Sequence, residues 1–264
     1  MTDVTNPHPA DPGSTPTATT GEELAENLRA IQDRIAAACR RVGRDPGEVE
    51  LLPVSKTVPA ERLRLAYVAG ARKLGENKVQ EAREKAQALS DLADLRWAVI
   101  GNLQTNKAKY VARFAHEFHA LDRLKVAEEL DRRLQKEGRS LDVYVQVNSS
   151  GEASKFGLAP EDVLGFAKEL PAYSSLRVRG LMTLALFSSE LDRVRRCFVV
   201  MRELQDRLRQ NAPGGLSFDQ LSMGMSGDFE VAIEEGATVV RVGQSIFGAR
   251  ALPDSHYWPG GSTR

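Results

Sequence analysis

The sequence has little cysteine, no net charge and no long apolar run. Its 36 Lys and Arg residues balance its 36 Asp and Glu residues. Proteins that bind nucleic acid through phosphates usually carry a basic excess, so we expect no nucleic-acid partner. No apolar run approaches the roughly 20 residues that cross a bilayer, and the first residues lack the basic start and apolar core of a signal peptide. We therefore expect no membrane association.

The two cysteines, Cys39 and Cys197, both lie in segments with helical periodicity. Their spacing matches no metal-ligand motif, the four histidines form no metal-binding pattern, and no catalytic-triad spacing is present. We therefore expect reduced, buried thiols and no metal site. Because a reducing compartment keeps such thiols unpaired, this pattern also favours a cytoplasmic location.

One globular domain is predicted between two segments that have little to bury. Residues 1–20 are rich in Pro and Thr, which is typical of a disordered tail, and 253–264 form a short C-terminal tail. Thr20 and Glu23 match a helix capping box, and apolar residues then recur at spacings of three and four. The domain, 21–252, is therefore predicted to begin with an amphipathic helix.

Short apolar segments then alternate with longer helical patterns. This alternation predicts right-handed parallel crossovers, and eight strands within this length favour a single (β/α)8 barrel with an extra N-terminal helix. A doubly wound open sheet is the alternative, but no Gly-rich dinucleotide motif follows any strand. The predicted strands are 49–54, 72–75, 96–100, 117–121, 141–147, 178–183, 218–222 and 238–242.

Reactive groups in such barrels follow the C-terminal ends of the strands. Lys56 closes the first strand, where desolvation and neighbouring cations would lower the pKa of its amine. An amine with a lowered pKa can form a Schiff base. The alternative is a strand-end lysine whose side chain reaches solvent.

The last two strands add a cation and a predicted phosphate site. Arg241 alternates with buried valines, so its side chain points either into the barrel or outward as a structural ion pair. Gly243 lets the backbone approach an anion, and 221–228 holds hydroxyls, glycines and a helix start near Ser226. Barrels of this type often bind phosphate after strands seven and eight. Alternatively, Ser226 only caps its helix.

An amine, a cation and a phosphate cradle at one end of a barrel match three groups of pyridoxal 5'-phosphate (PLP). These groups are its aldehyde, its ring nitrogen and its phosphate. On spacing alone, a Schiff-base aldolase that acts on a sugar phosphate fits nearly as well.

Several short stretches, spread from about 22 to 250, match one known family. They are Val54-Ser55-Lys56-Thr57, Gly75-Glu76-Asn77-Lys78-Val79-Gln80-Glu81, Ile100-Gly101-Asn102-Leu103-Gln104-Thr105-Asn106-Lys107, Val147-Asn148, Ser154-Lys155-Phe156-Gly157, Leu221 to Asp228, Val240-Arg241-Val242-Gly243 and Ile246-Phe247-Gly248. Through these stretches the sequence resembles the pyridoxal phosphate homeostasis protein family, the YggS or PROSC-like group. The resemblance implies a barrel similar to the N-terminal domain of bacterial alanine racemase, with PLP held as a Schiff base on Lys56.

The resemblance also implies the contacts of the cofactor. It implies that Arg241 faces the pyridine nitrogen and that Asn77 lies beside the cofactor. The residues implied around the phosphate are Ser222, Ser226, Gly243 and Gln244.

Two positions depart from the family pattern. Family members usually have Trp-His where this chain has Trp97-Ala98, so any role of that histidine is absent. A small hydroxyl residue is common where Gln244 stands, so the phosphate contact at that position is expected from the backbone alone.

An always-charged arginine opposite the ring nitrogen keeps that nitrogen unprotonated and weakens the ring as an electron sink. We therefore expect a non-catalytic protein that binds PLP reversibly and acts in PLP homeostasis, with effects on amino-acid and keto-acid balance. PLP-dependent apoenzymes are the expected recipients. A weak PLP-dependent racemase or lyase is the alternative, although we expect no counterpart of the second domain and opposite tyrosine of alanine racemase.

The other polar residues near strands three and four are expected to be structural. Tyr110 is expected to pack on a helix and His116 to lie at the surface, and His119 is a third candidate there. Because a barrel buries its own core and no long exposed apolar stripe is left over, we expect a monomer.

Overall fold

Eight parallel strands alternate with helices along the chain and curve into a barrel. The structure is a computed structural model that describes residues 17–188 and 190–248. The strands are β1 (Glu50–Pro53), β2 (Lys73–Glu76), β3 (Arg96–Val99), β4 (Glu117–Leu121), β5 (Leu141–Val147), β6 (Leu176–Thr183), β7 (Gln220–Ser222) and β8 (Val239–Val242).

The strands follow one another around the barrel in chain order. β1 pairs with β8 on one side, and a parallel bridge between Val54 and Gly75 joins β1 to β2 on the other. The Ser55 N–H extends this contact with a 2.9 Å bond to the Gly75 carbonyl. The nearly closed ring confirms the predicted (β/α)8 barrel and excludes the open sheet.

Nine α-helices lie in the described part of the chain, together with short 3-10 turns at 46–48, 105–107 and 170–172. The first helix precedes β1, as the apolar periodicity after Thr20 predicts. The helices are α1 (Gly21–Arg41), α2 (Ala60–Val68), α3 (Val79–Ala88), α4 (Ala108–Phe114), α5 (Leu124–Glu137), α6 (Val163–Glu169), α7 (Leu191–Asn211), α8 (Phe229–Glu234) and α9 (Gln244–Phe247).

Helix α1 is fastened to the last part of the barrel. Its Thr20–Glu23 capping box forms as predicted. The Asn27 amide donates a 2.9 Å hydrogen bond to the Ile246 carbonyl of α9. Exposed arginines of α1 pair with glutamates of α8, but such exposed pairs contribute little, so the helix is held chiefly by its apolar face. That face consists of Leu24, Leu28, Ile31 and Ile35.

The predicted tails fall largely outside the described residues. Of 1–20 only 17–20 are described, and there Ala18 is buried while the Thr19 and Thr20 amides bond to the Glu23 carboxylate. The segment 253–264 lies outside the described residues altogether. The two tail assignments therefore stay predictions.

The predicted strand bounds agree best in the middle of the chain. The bounds of β4 and β5 match the prediction, whereas β6 begins two residues early because Leu176 already pairs with Leu141. β7 begins two residues late, since the Phe218 carbonyl accepts a 2.7 Å bond from the Gln205 side chain instead of joining the ladder. Side-chain competition of this kind is not visible in hydrophobic periodicity.

Several packing predictions are confirmed. Cys39 in α1 and Cys197 in α7 are buried and unbonded to each other, and burial raises the pKa of Cys39. Tyr110 packs against the core with the Arg83 guanidinium over its ring. These side chains therefore serve the packing of the helices on the barrel.

Across residues 17–188 and 190–248, no helix combines the length and the apolar composition needed to span a bilayer. The same residues include no group of three or more His, Cys, Asp or Glu side chains placed to hold a metal ion. The expectations of no membrane and no metal stay predictions.

Candidate functional site

The C-terminal ends of β1, β2 and β8 meet at one opening of the barrel, which we call the mouth. The Val54–Gly75 bridge aligns the two chains, so Lys56 and Asn77 each follow two residues later. Both side chains are half-buried. On the other side of β1, the Val54 N–H bonds to the Val242 carbonyl at 2.8 Å, which brings Gly243 alongside Val54. The structure therefore brings together three of the predicted site positions.

The chain on either side of Lys56 is held by a buried lysine of α3. The Lys85 ammonium donates to the Ser55 carbonyl at 2.8 Å and to a Glu81 oxygen at 2.6 Å. That same Glu81 oxygen accepts the Thr57 N–H at 2.6 Å. Thr57 has a φ of 66°, a left-handed conformation that is strained for a residue branched at Cβ. The segment is thus pinned at both neighbours of Lys56.

Glu76 completes this support from β2. It is fully buried, and its Oε1 accepts bonds from the Ser55 hydroxyl at 2.6 Å and from Lys85 at 2.7 Å. Its Oε2 has no hydrogen-bond partner among the described residues. Burial raises the pKa of Glu76, although Lys85 and Ser55 oppose the shift. Sequence reasoning missed this cluster, and the signal for it was the Glu81–Lys85 spacing of four.

Arg241 points into the barrel and not outward. It is 3% exposed, and its Nη1 donates to the carbonyl and hydroxyl of Ser222 at 2.6 and 2.8 Å, while Nη2 donates to the Thr183 carbonyl at 2.7 Å. The outward ion pair is therefore excluded. Burial lowers the pKa of Arg241 to about 10, so its guanidinium stays charged at neutral pH.

The loop after β7 folds against the start of α9. The Gly243 N–H donates a 3.4 Å bond to the Ser226 hydroxyl, so these two predicted residues lie together. A Cβ on Gly243 would come within 3.0 Å of the Val54 carbonyl, which shows how closely the two backbones approach. Gln244 begins α9 and is half-buried. The phosphate contact of Gln244 stays a prediction.

The predicted helix start near Ser226 is wrong by three residues. α8 begins at Phe229 after Asp228, and the Asp228 carboxylate instead accepts the Met225 N–H at 2.5 Å. Gly224 makes this turn possible, since its φ is 92° and a Cβ there would lie 2.7 Å from the Ala232 Cβ. Ser226 therefore lies in the loop and does not cap the helix. Its hydroxyl instead accepts the N–H of Gly243, the residue after β8.

Ser222 is the predicted phosphate residue that the structure places elsewhere. Its side chain is fully buried, with the hydroxyl between Arg241 and the Nδ1 of His119, 2.9 Å away. A side chain with no exposed surface offers nothing to a phosphate, so that expectation is corrected. The alternation along β7 turned this hydroxyl inward, below Arg241.

His119 and Glu117 are buried on the same face of β4. The His119 Nε2 lies 2.8 Å from a Glu117 oxygen, and the imidazole ring stacks on Tyr144 with the ring centroids 4.0 Å apart. Burial opposes the charge of Glu117, but the bonds from His119 and Lys73 outweigh it and lower the pKa of Glu117 to about 2. Glu117 and Lys73 were missed because they begin strands, far from the strand ends searched for chemistry.

Two further sequence expectations have structural outcomes. His116 is half-buried, not at the surface, because its Nδ1 accepts the Trp97 N–H at 3.1 Å, and burial lowers its pKa. Ala98, at the position where the family usually has histidine, is fully buried in β3. Gly101 lies just beyond, and a Cβ there would come within 2.1 Å of the Asn77 carbonyl.

Comparison with known proteins identifies the family. The model of the alanine racemase N-terminal domain matches residues 26–251. The pyridoxal phosphate homeostasis proteins of Aquifex aeolicus and Pseudomonas aeruginosa are each 44% identical, over 85% and 86% of this chain and 97% and 96% of theirs. PipY of Synechococcus elongatus, solved with PLP bound, is 36% identical with a TM-score of 0.75 and covers 85% of this chain and 100% of its own. The chain belongs to the pyridoxal phosphate homeostasis protein family.

Proposed function

We propose that this protein binds PLP reversibly at the mouth and acts in PLP homeostasis, with effects on amino-acid and keto-acid balance. The observation that carries the proposal is the inward, charged side chain of Arg241 next to the strand end that bears Lys56. Arg241 pairs in register with Leu52 of β1, so the arginine and the lysine belong to adjacent strands. The PLP-bound structure of a relative, PipY, supports the same cofactor.

The residues at the mouth fit the functional groups of PLP. When bound, PLP supplies an aldehyde that a lysine amine captures reversibly as a Schiff base. Lys56 is the proposed amine, and Arg241 is the proposed neighbour of the ring nitrogen. The Ser226 hydroxyl and the Gly243 amide, joined by their 3.4 Å contact, are proposed to hold the phosphate, with Gln244 beside them. Asn77 is proposed to flank the ring because it follows β2 level with Lys56.

Arg241 favours a carrier over a catalyst. Its guanidinium is only a hydrogen-bond donor and stays charged at neutral pH. A donor at this position favours an unprotonated ring nitrogen, whereas a carboxylate would stabilise a protonated one. An unprotonated ring is a weak electron sink, which disfavours reactions that pass through a carbanion. The names of the relatives likewise describe homeostasis and not a reaction. We therefore propose that none of the mouth residues is catalytic.

The racemase or lyase alternative needs a second acid or base across the ring from Lys56. The described residues on β4 and α4 do not favour one. His119 has both ring nitrogens bonded inside the barrel, and Tyr110 packs against the core beneath Arg83. Turnover of an amino acid that disappears in Lys56→Ala would establish this alternative.

The proposed partners follow from the surface and the charge balance. The large apolar side chains that are exposed in the described residues are few, which supports a monomer. The equal numbers of acidic and basic residues support the absence of a nucleic-acid partner. We propose PLP-dependent apoenzymes as recipients in the cytoplasm, which transfer of PLP from the loaded protein to a purified apoenzyme would test.

Absorbance and borohydride mapping test the proposed function. The protein loaded with PLP is expected to absorb as a lysine adduct, and borohydride is expected to fix the label on the peptide that contains Lys56. Lys107, an exposed lysine in the turn after β3, provides the matched control, because Lys107→Ala should leave the label in place. A label on any other peptide would overturn the assignment of Lys56, and a substrate-carbonyl adduct without a chromophore would favour the aldolase.

A further inference from the structure

A line of buried polar side chains runs through the barrel from Arg241 toward the N-terminal ends of the strands. The Arg241 guanidinium contacts the Ser222 hydroxyl at 2.8 Å, which contacts the His119 Nδ1 at 2.9 Å. The His119 Nε2 in turn contacts Glu117 at 2.8 Å. All four residues are at most 5% exposed. Buried polar side chains are retained only where their hydrogen bonds are satisfied, so this line is a connected network.

The donors and acceptors along the line can be assigned from chemistry. Arginine only donates, so the Ser222 oxygen accepts from Arg241 and directs its single proton to the His119 Nδ1. A neutral His119 then carries its proton on Nε2, where it donates to the ionised Glu117. The opposite tautomer would aim the Nε2 lone pair at a carboxylate 2.8 Å away, which is repulsive. Each residue therefore donates to the next one along the line: Arg241 to Ser222, Ser222 to His119 and His119 to Glu117.

The groups around His119 keep it neutral. Burial lowers the pKa of His119 most, the charges of Arg241 and Lys73 lower it further, and Glu117 opposes them. Tyr144, the remaining group that faces the ring, lies against it in a tilted stack and has a raised pKa, so it carries no charge at neutral pH. A neutral ring can accept at Nδ1, whereas a doubly protonated ring could not.

The far end of the line is anchored to charges that reach water. Lys73 forms ion pairs with Glu117 and, at 2.5 Å, with Glu50, which is 39% exposed. These side chains line a polar cavity of about 250 Å³ at the N-terminal end of the barrel, together with Asp142 and Arg179. The ion pair with Lys73 therefore helps to keep Glu117 ionised.

We propose that Ser222, His119 and Glu117 are positioning residues that orient Arg241 toward the cofactor ring from inside the barrel. This inference rests on the proposed function and adds to it three residues that do not touch PLP. The hydroxyl of Ser222 can accept from Arg241 because its own proton is committed to His119. Loss of that acceptor leaves Arg241 held by two carbonyls alone, those of Ser222 and Thr183, and allows its guanidinium to rotate away from the ring.

The first test concerns the protein without PLP. Nitrogen NMR of the His119 ring in the wild-type protein should show a neutral imidazole with its proton on Nε2 across the neutral pH range. A proton on Nδ1, or a doubly protonated ring, would overturn the proposed direction of the bonds. This measurement involves no variant and does not depend on cofactor binding.

The second test concerns PLP binding. Ser222→Ala removes one hydrogen bond that holds the charged Arg241 in place. Because such a bond contributes about as much as a tenfold change in affinity, the PLP dissociation constant should rise roughly tenfold. The pH profile of the bound cofactor's absorbance should shift as well. Ser175, another buried serine just before β6, provides the control, and Ser175→Ala should change neither quantity.

Two substitutions of His119 separate positioning from packing. The oxygen of Asn stands near the place of Nδ1 and can accept from Ser222, whereas the amide of Gln stands near Nε2 and can donate to Glu117. We expect His119→Asn to retain PLP better than His119→Gln, although both lose the ring. Equal PLP dissociation constants in wild type, Ser222→Ala and Ser175→Ala would overturn the inference. Failure of the wild-type protein to bind PLP would instead overturn the proposed function.

Discussion

The two ends of the barrel are both polar, but their charges are arranged differently. At the N-terminal end, cations and carboxylates neutralise each other. Lys73 lies between Glu50 and Glu117, and Asp142 accepts from Arg177 and Arg179. At the mouth, the hydrogen bonds described for Arg241 all go to neutral oxygens, and the charge of Asp228 attracts Arg241 without an ion pair between them among the described residues.

This difference supports the proposal that an anionic cofactor binds at the mouth. A buried cation that bonds to carbonyls and a hydroxyl keeps its field, because neutral acceptors satisfy its N–H groups without cancelling its charge. Paired charges at the other end cancel at short range. The mouth is therefore the end that we propose for the phosphate-bearing ligand, while the ion pairs at the N-terminal end hold Glu117 in place.

The largest expected effect is that of Lys56→Ala. The covalent PLP adduct should disappear, because Lys56 is the proposed amine and the neighbouring Lys85 is held by Glu76, Glu81 and the Ser55 carbonyl. Folding should stay intact, since one half-buried strand-end side chain contributes little packing. Absorbance, borohydride labelling and a thermal melt check both parts. A variant that fails to fold would show that Lys56 is structural.

Removing the charge of one arginine at each end sharpens the comparison. Arg241→Gln should weaken PLP binding by roughly tenfold to a hundredfold, since a buried charge-assisted contact is lost. Arg179→Gln at the N-terminal end should leave PLP binding unchanged, because Arg179 is half-exposed and forms an ion pair with Asp142, away from the mouth. Fluorescence or absorbance titration with PLP measures both constants. Equal losses in the two variants would remove the distinction between the ends.

Acid titration should reveal the charge held at the N-terminal end. The pKa of Glu117 is about 2, below the ordinary value of 4.5, so its ionisation stabilises the fold above about pH 4.5 and this contribution is lost as the pH falls toward 2. Between neutral pH and pH 3 the loss should be about 1–2 kcal/mol. Urea unfolding of wild type and Glu117→Gln across this range measures it as a difference in pH dependence. Parallel pH curves would contradict the assignment.

The smallest expected effect concerns the backbone at the mouth. Gly243→Ala should weaken PLP binding about threefold, since its Cβ would press on the Val54 carbonyl 3.0 Å away and shift the amide proposed for the phosphate. Gly227→Ala is the matched control, because a Cβ there meets nothing within 4 Å. PLP titration of both variants is the measurement. Indistinguishable variants would place the phosphate away from Gly243.

Much of the fold could be predicted from local pattern. The alternation of apolar segments with helical periodicity indicated eight strands and the barrel, and β4 and β5 have the predicted bounds. The ends that differed were decided by side chains that bond to the backbone. The Gln205 amide donates to the Phe218 carbonyl before β7 begins, and the Asp228 carboxylate accepts the Met225 N–H, so that α8 starts late. Hydrophobic periodicity does not register such bonds.

The candidate site was predictable only where its residues close strands. Lys56, Asn77, Arg241 and Gly243 occupy the strand ends that the barrel fold makes informative, and the structure brings these ends together. The family resemblance implied a phosphate contact for Ser222, which lies near Ser226 in sequence. A strand's alternation separates such neighbours, and it turns the Ser222 hydroxyl into the barrel toward His119.

The sequence by itself determined the barrel, the opening N-terminal helix, the buried thiols and the lysine and arginine at the mouth, because periodicity and strand-end chemistry are local properties. The tertiary structure alone decided that Arg241 points inward and that Glu117, His119 and Ser222 form one line behind it. Those side chains come from β4, β7 and β8, and they meet because the curved sheet points all of them toward the barrel axis. Closure brings distant residues within hydrogen-bonding distance, and no spacing along the chain encodes that meeting.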